Sequence, residues 1–185
     1  DIIRTLIGWS LEQREAALEV SVDMWGGFTR VIQKVFPNAR ITYDRFHVMK
    51  IVNEELNTIR KQCKNKIEKL KIKHIKYLLM KNNKDLNEEQ RNNLKIVLDC
   101  SQRLKDAYFL KEEFREIYET HQTPEEAEIL LQEWMKKAAK FYNDSIKTIK
   151  NHLQGICNYF YDRVTSGMME GINNKIKLIK RQAYG

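Results

Sequence analysis

The chain has 185 residues, 42% hydrophobic and 31% charged, with a formal net charge of +8. That length suits one domain, or one domain with a large insertion, and can bury a real core. The positive excess and a pI near 9.3 favour an acidic partner, nucleic acid above all, and no apolar run approaches the roughly 18 residues needed to span a membrane.

Residues 1–15 read as helical, with Ile2, Ile3, Leu6 and Ile7 on one side. Ser10 with Gln13 makes a capping-box start for a short second turn. Over Ala17–Asp23, Leu18, Val20 and Val22 alternate with Glu19, Ser21 and Asp23, which is the period of a strand. Gly26-Gly27 breaks the strand, and Phe28, Val31, Ile32 and Val35 then follow helical spacing until Pro37. Arg40–Asp44, with β-branched and aromatic residues, is a second short strand.

Strand, helix and strand within about 30 residues form a βαβ unit, which implies two parallel strands joined by a right-handed crossover. Reactive groups in such sheets sit beyond the carboxyl ends of the strands. Asp23 and Asp44 both fall there, although Asp is also a common turn residue after a strand.

From Val48 to about residue 160 the pattern is helical. Val48, Val52, Leu56, Ile59, Cys63, Ile67 and Leu70 step by three or four through a Lys-rich helix, and Lys81–Asp85 is a polar break. Asn87 and Gln90 cap the next helix, whose pattern continues through Leu104, Tyr108, Phe114 and Ile117 to His121-Gln122. Thr123-Pro124-Glu125-Glu126 combines an N-cap Thr, Pro at the first helical position and Glu at the third. That helix bends near Asn143-Asp144, and a last one runs from Ile146 to Tyr161.

Three scattered cysteines, Cys63, Cys100 and Cys157, give neither a disulfide framework nor a C-x-x-C pair, and no histidine joins them at ligand spacing. A reducing, cytoplasmic setting follows. The chain begins at Asp1 and stops at Gly185 just after a basic stretch, which reads as a protein cut at both ends.

The C-terminal stretch Thr165–Arg181 carries the strongest pattern. Ile172, Ile176 and Ile179 form an apolar stripe, while Glu170, Asn173, Asn174, Lys177 and Arg181 share another side of the same helix. A carboxylate followed by amides and cations suits a metal held beside a phosphate backbone. The same spacing also suits an ordinary amphipathic helix with a solvated face.

Val22-Asp23-Met24, Pro37-Asn38-Ala39 and Asp44-Arg45-Phe46-His47-Val48 resemble the catalytic domain of bacterial insertion-sequence transposases of the ISL group. So does Arg163–Lys177, running on through Lys180–Gly185. The resemblance implies an α/β, partial RNase H-like fold: a βαβ region over 1–47, an all-helical insertion over 48–160, and a C-terminal helix over 161–185 completing the catalytic domain. It implies a D, D, E triad holding two divalent ions, Mg²⁺ or Mn²⁺, for DNA strand cleavage and strand transfer. Asp23 matches the second aspartate and Glu170 the glutamate. No residue matches the first aspartate, which belongs on a strand preceding Asp23, so a chain inactive by itself is expected. Ser166 stands where relatives often have Asn, a departure close to Glu170.

In this reading Asp44, His47, Asn173 and Asn174 support the site. Lys175, Lys177, Lys180 and Arg181 meet the phosphates of double-stranded DNA, both insertion-sequence ends and target, and Arg45 either does the same or pairs with a carboxylate. A homo-oligomer assembled on DNA is expected, with no membrane partner. The competing expectations are a basic helical DNA-binding or self-association protein with idle carboxylates, and a different RNase H-like nuclease.

Overall fold

A computed structural model describes residues 2–24, 26–120, 122–163 and 175. In chain order the elements are α1 (Ile2–Ile7), α2 (Leu11–Glu15), β1 (Glu19–Val22), α3 (Gly26–Val35), β2 (Arg40–Tyr43), α4 (Arg45–Gln62), α5 (Lys64–Glu68) and α6 (Ile75–Met80). A 3-10 turn (Asn83–Asp85) precedes α7 (Glu88–Asp99), α8 (Gln102–Glu119), α9 (Pro124–Ala138), α10 (Asn143–Asn151) and α11 (Leu153–Asp162). The fold is α/β and dominated by helix, and its two strands pair parallel. No helix among the described residues is long and apolar enough to cross a membrane.

Two compact units emerge. The first comprises the described residues of Asp1–His47 and Gln154–Gly185, the second Val48–Leu153. In the first, Glu19 registers with Arg40 and Val22 with Tyr43. Val20, Val22 and Ile41 pack on Ile32, Val35 and Phe36 of and just after α3, with Leu6 and Ala17 closing the cluster. Burying each large apolar side chain contributes about 1.5–3 kcal/mol.

The opposite face of the sheet is polar. Glu19 accepts hydrogen bonds from Thr42 Oγ1 (2.5 Å) and Arg40 Nη2 (3.3 Å), and Arg40 also donates to Asp162 (2.6 Å) at the end of α11. Leu18 departs from the expected burial: one residue before β1, its carbonyl still accepts from Arg40 N (2.9 Å), but its side chain is 71% exposed.

Helix α11 runs along β2. Asn158 Nδ2 donates to the Ile41 carbonyl (2.8 Å), satisfying a strand group that β1 does not reach. Gly155 lets the helix approach the Tyr43 ring, whose hydroxyl meets Thr29 Oγ1 at 3.2 Å.

Among the described residues, every regular element of the second unit is a helix. Trp134 anchors its core: its ring lies 4.6 Å from that of Phe114, and its Nε1 donates to the Leu110 carbonyl (2.7 Å). Tyr142, fully buried, donates to the Ala107 carbonyl (2.6 Å). The capping boxes at Ser10/Gln13, Asn87/Gln90 and Thr123/Glu126 all form.

Three helices expected to be continuous are broken. Cys63 (φ −90°, ψ 10°) separates α4 from α5. Ser101, extended at φ −155°, caps α8 through its hydroxyl to Leu104 N. His152 (φ −122°) separates α10 from α11. Apolar steps of three and four continue across each break, so periodicity alone does not register them. The bend expected near Asn143 is a full break, because α9 ends at Ala138 and α10 starts afresh at Asn143. The Glu55 carboxylate closes that new start, accepting from Ser145 N (2.9 Å), Ser145 Oγ (2.6 Å) and Asp144 N (3.2 Å).

Candidate functional site

Parallel pairing puts the carboxyl ends of β1 and β2 side by side, and Asp44 N donates to the Val22 carbonyl across that end (3.2 Å). Asp23 follows directly after β1 and Asp44 directly after β2. The two acids nonetheless meet different surroundings. Asp44 is 3% exposed, and its Oδ1 accepts from Phe46 N (2.8 Å), which makes it the N-cap of α4. Asp23 keeps 49% of its side chain exposed. A buried capping carboxylate has a structural duty, whereas an exposed one at a strand end can bind.

His47 belongs to the same corner. It sits in the first turn of α4 and its N–H donates to the Asp44 carbonyl (3.0 Å). Its imidazole turns to Asp23: Nδ1 lies 3.2 Å from Asp23 Oδ1. The Phe46 ring, 61% exposed, meets the imidazole edge-on at 5.5 Å. Asp44 thus fixes the start of α4, and α4 in turn aims His47 at Asp23. Arg45 is the first residue of that helix.

Among the described residues no group of three or more His, Cys, Asp or Glu side chains is placed to hold a metal ion. Asp23 offers hard carboxylate oxygens, the donor type that Mg²⁺ and Mn²⁺ take, with room left by its exposure. The described residues therefore fit one part of a divalent-cation site. Glu170, Asn173, Asn174, Lys177, Lys180 and Arg181, and the Ile172, Ile176 and Ile179 stripe, lie outside the described residues. Lys175 is described, helical and exposed.

Similarity to known proteins supplies what this geometry alone does not. A family model described as transposase, of the ISL3 group, matches residues 3–185. The chain belongs to the ISL3 transposase family. It is 31% identical over 176 residues to the transposase for insertion sequence element IS1001 of Bordetella parapertussis, an alignment that covers 90% of this chain and 43% of that protein. It is 25% identical over 204 residues to the transposase for insertion sequence element IS1557 of Mycobacterium tuberculosis, covering 94% of this chain and 46% of that protein. The chain thus spans under half the length of these curated relatives. No solved structure matches it.

Several residues of this transposase chain that hold the strand ends leave little trace in the sequence. Gly155 and Asn158 of α11 brace β2 just before Asp44. An isolated glycine inside a helical pattern is a usable sign of close backbone approach. Asn158 leaves no such sign, because its partner Ile41 lies 117 positions away. The cysteines, remote in sequence, also come closer than expected. Cys63 Sγ contacts Ser101 Oγ (3.3 Å), and the Cys100 thiol is pushed up by burial and then by Cys63 nearby.

Proposed function

We propose that this chain carries part of a transposase catalytic domain of RNase H-like fold, performing metal-dependent DNA strand cleavage and strand transfer that move an insertion sequence. The observation that carries the reading is Asp23, an exposed carboxylate at the carboxyl end of a parallel strand, held 3.2 Å from His47. Belonging to the ISL3 family supports it.

In this proposal Asp23 and Glu170 hold Mg²⁺ or Mn²⁺, and the third carboxylate of the triad is one that no residue of this chain matches. Two such ions, when bound, activate the attacking oxygen and stabilise the leaving oxygen of an in-line phosphoryl displacement. The chain's own residues position and neutralise. His47 orients the Asp23 carboxylate, as hydrogen-bonded neighbours of metal ligands do. Asp44 keeps α4 capped so that His47 stays in place, and Asn173 and Asn174 support Glu170. Arg45, Lys175, Lys177, Lys180 and Arg181 neutralise phosphates of double-stranded DNA without reading sequence. Assembly as a homo-oligomer on paired ends belongs to the same proposal.

Calorimetric titration with Mn²⁺ tests it. Binding is expected in the unmodified chain and is expected to disappear in Asp23→Ala and in Glu170→Ala. Unchanged binding in either variant, or no binding at all, sinks the proposal in favour of a DNA-binding protein with idle carboxylates.

A further inference from the structure

The most uneven charge distribution in the molecule lies away from Asp23 in sequence, inside the second unit. Between Arg60 and Lys76 the chain carries eight lysines and arginines against a single acid, Glu68. Every lysine in that stretch is exposed, as are His74 and Tyr77. Among the described residues its one ion pair is Lys64 with Glu68 (3.6 Å). Elsewhere in the unit, cations find acids from other helices: Lys84 meets Glu116 (3.2 Å), Lys105 meets Asp99 (2.9 Å), and Lys137 meets Glu113. Glu113 and Glu116 of α8 are thus engaged by Lys137 and Lys84, and the stretch keeps its charge.

This stretch has a defined shape. Ile67 and Ile75, 5% and 8% exposed, pin it to the unit from below. Lys71 (φ 54°) and His74 (φ 56°) both adopt the left-handed region and shape the turn between α5 and α6. Each such residue costs about 1–2 kcal/mol where glycine would cost little. Crowded like charges add self-repulsion. A fold that bears both costs to display lysines along one ordered arm fits an anionic partner that relieves the repulsion.

Lysine rather than arginine dominates. Lysine meets phosphate as a point charge, whereas base reading relies chiefly on planar, two-pronged arginine. Arg60, the lone arginine of the stretch, is engaged with Asn57 Oδ1 (2.9 Å). We infer that the Arg60–Tyr77 arm is a sequence-independent DNA-phosphate contact, additional to the cations proposed at Lys175, Lys177, Lys180 and Arg181. The inference rests on DNA being the partner, and it is independent of whether Asp23 binds metal.

The test is the salt dependence of binding to a short random-sequence DNA duplex, measured in EDTA so that the metal-site reading plays no part. The quadruple variant Lys66→Gln, Lys69→Gln, Lys71→Gln, Lys73→Gln is compared with a control, Lys136→Gln, Lys137→Gln, Lys140→Gln, and with the unmodified chain. All four arm lysines are exposed, so circular dichroism should be unchanged. Each phosphate that is no longer neutralised lowers the slope of log K against log salt by about 0.9. A fall in slope of roughly 2–4 for the arm variant, with the control unaltered, is the expected result. An unchanged slope in the arm variant overturns the inference, and so does an equal fall in the control, which would reflect net charge alone. Loss of self-association without any change in slope also overturns it, by assigning the arm to a second copy of the chain.

Discussion

Gly155→Ala offers a sharp test of how the strand ends are held. In an open helix this change is favourable, because alanine exceeds glycine in helix propensity by about 0.5–1 kcal/mol. Here the added methyl would lie 2.5 Å from Tyr43 Cδ2 and 3.4 Å from the Ile41 carbonyl oxygen. The Tyr43 ring has nowhere cheap to go. It is 6% exposed, and its hydroxyl is bonded to Thr29 Oγ1 at 3.2 Å. Overpacking of this kind costs about 1–3 kcal/mol, and swinging the ring out forfeits roughly 1 kcal/mol more from the broken hydrogen bond. The clash outweighs the propensity gain, so a net loss of about 1–3 kcal/mol is expected in urea unfolding followed by circular dichroism.

The sign should reverse once the ring is gone. In a Tyr43→Leu background the same Gly155→Ala change is expected to stabilise by about 0.5–1 kcal/mol. Stabilisation in both backgrounds, or an equal cost in both, would refute the reasoning. Because Tyr43 precedes Asp44 and registers with Val22, the residue before Asp23, the experiment also reports on what positions the candidate site.

Other predictions concern single interactions. His47→Ala should leave the fold intact while weakening Mn²⁺ binding by about 10–100-fold, the usual effect of removing an orienting neighbour; calorimetry reads this, and an unchanged affinity refutes it. Glu55→Ala removes the acceptor for three hydrogen bonds at the start of α10 and should cost about 1–3 kcal/mol in thermal unfolding.

Stability should also depend on alkaline pH. The Lys111 ammonium is fully buried beside Glu112, and burial lowers its pKa to about 8 from an ordinary 10.5. Between those values the unfolded chain holds more protons, so the Lys111 contribution rises with pH, by roughly 3 kcal/mol in all. Above pH about 10 the trend turns, since burial raises the Tyr108 and Tyr142 hydroxyls and only the unfolded chain ionises there. Lys111→Met should abolish the rise between pH 8 and 10 in denaturant titrations; a rise that persists in this variant would show that Lys111 is not its source.

Local elements were readable because their causes are local. Alternation over Val20 and Val22, helical spacing over Val31, Ile32 and Val35, and the caps at Ser10, Asn87 and Thr123 involve neighbours within about four positions. Asp23 and Asp44 could be assigned to strand ends for the same reason. Helical spacing over Glu170, Asn173 and Asn174 suited a metal site and a solvated face alike, and only the family resemblance favoured Glu170 as a ligand.

Tertiary structure decided which of the two strand-end acids is exposed. It buried Asp44 as the cap of α4 and left Asp23 open with His47 beside it. It also decided that helices stop at Cys63, Ser101 and His152, where unbroken apolar periodicity suggested they continue. Burial and long-range pairing depend on residues such as Asn158 and Ile41, which meet only after the chain between them has folded. Periodicity records which face of an element is apolar. It carries no record of what that face meets.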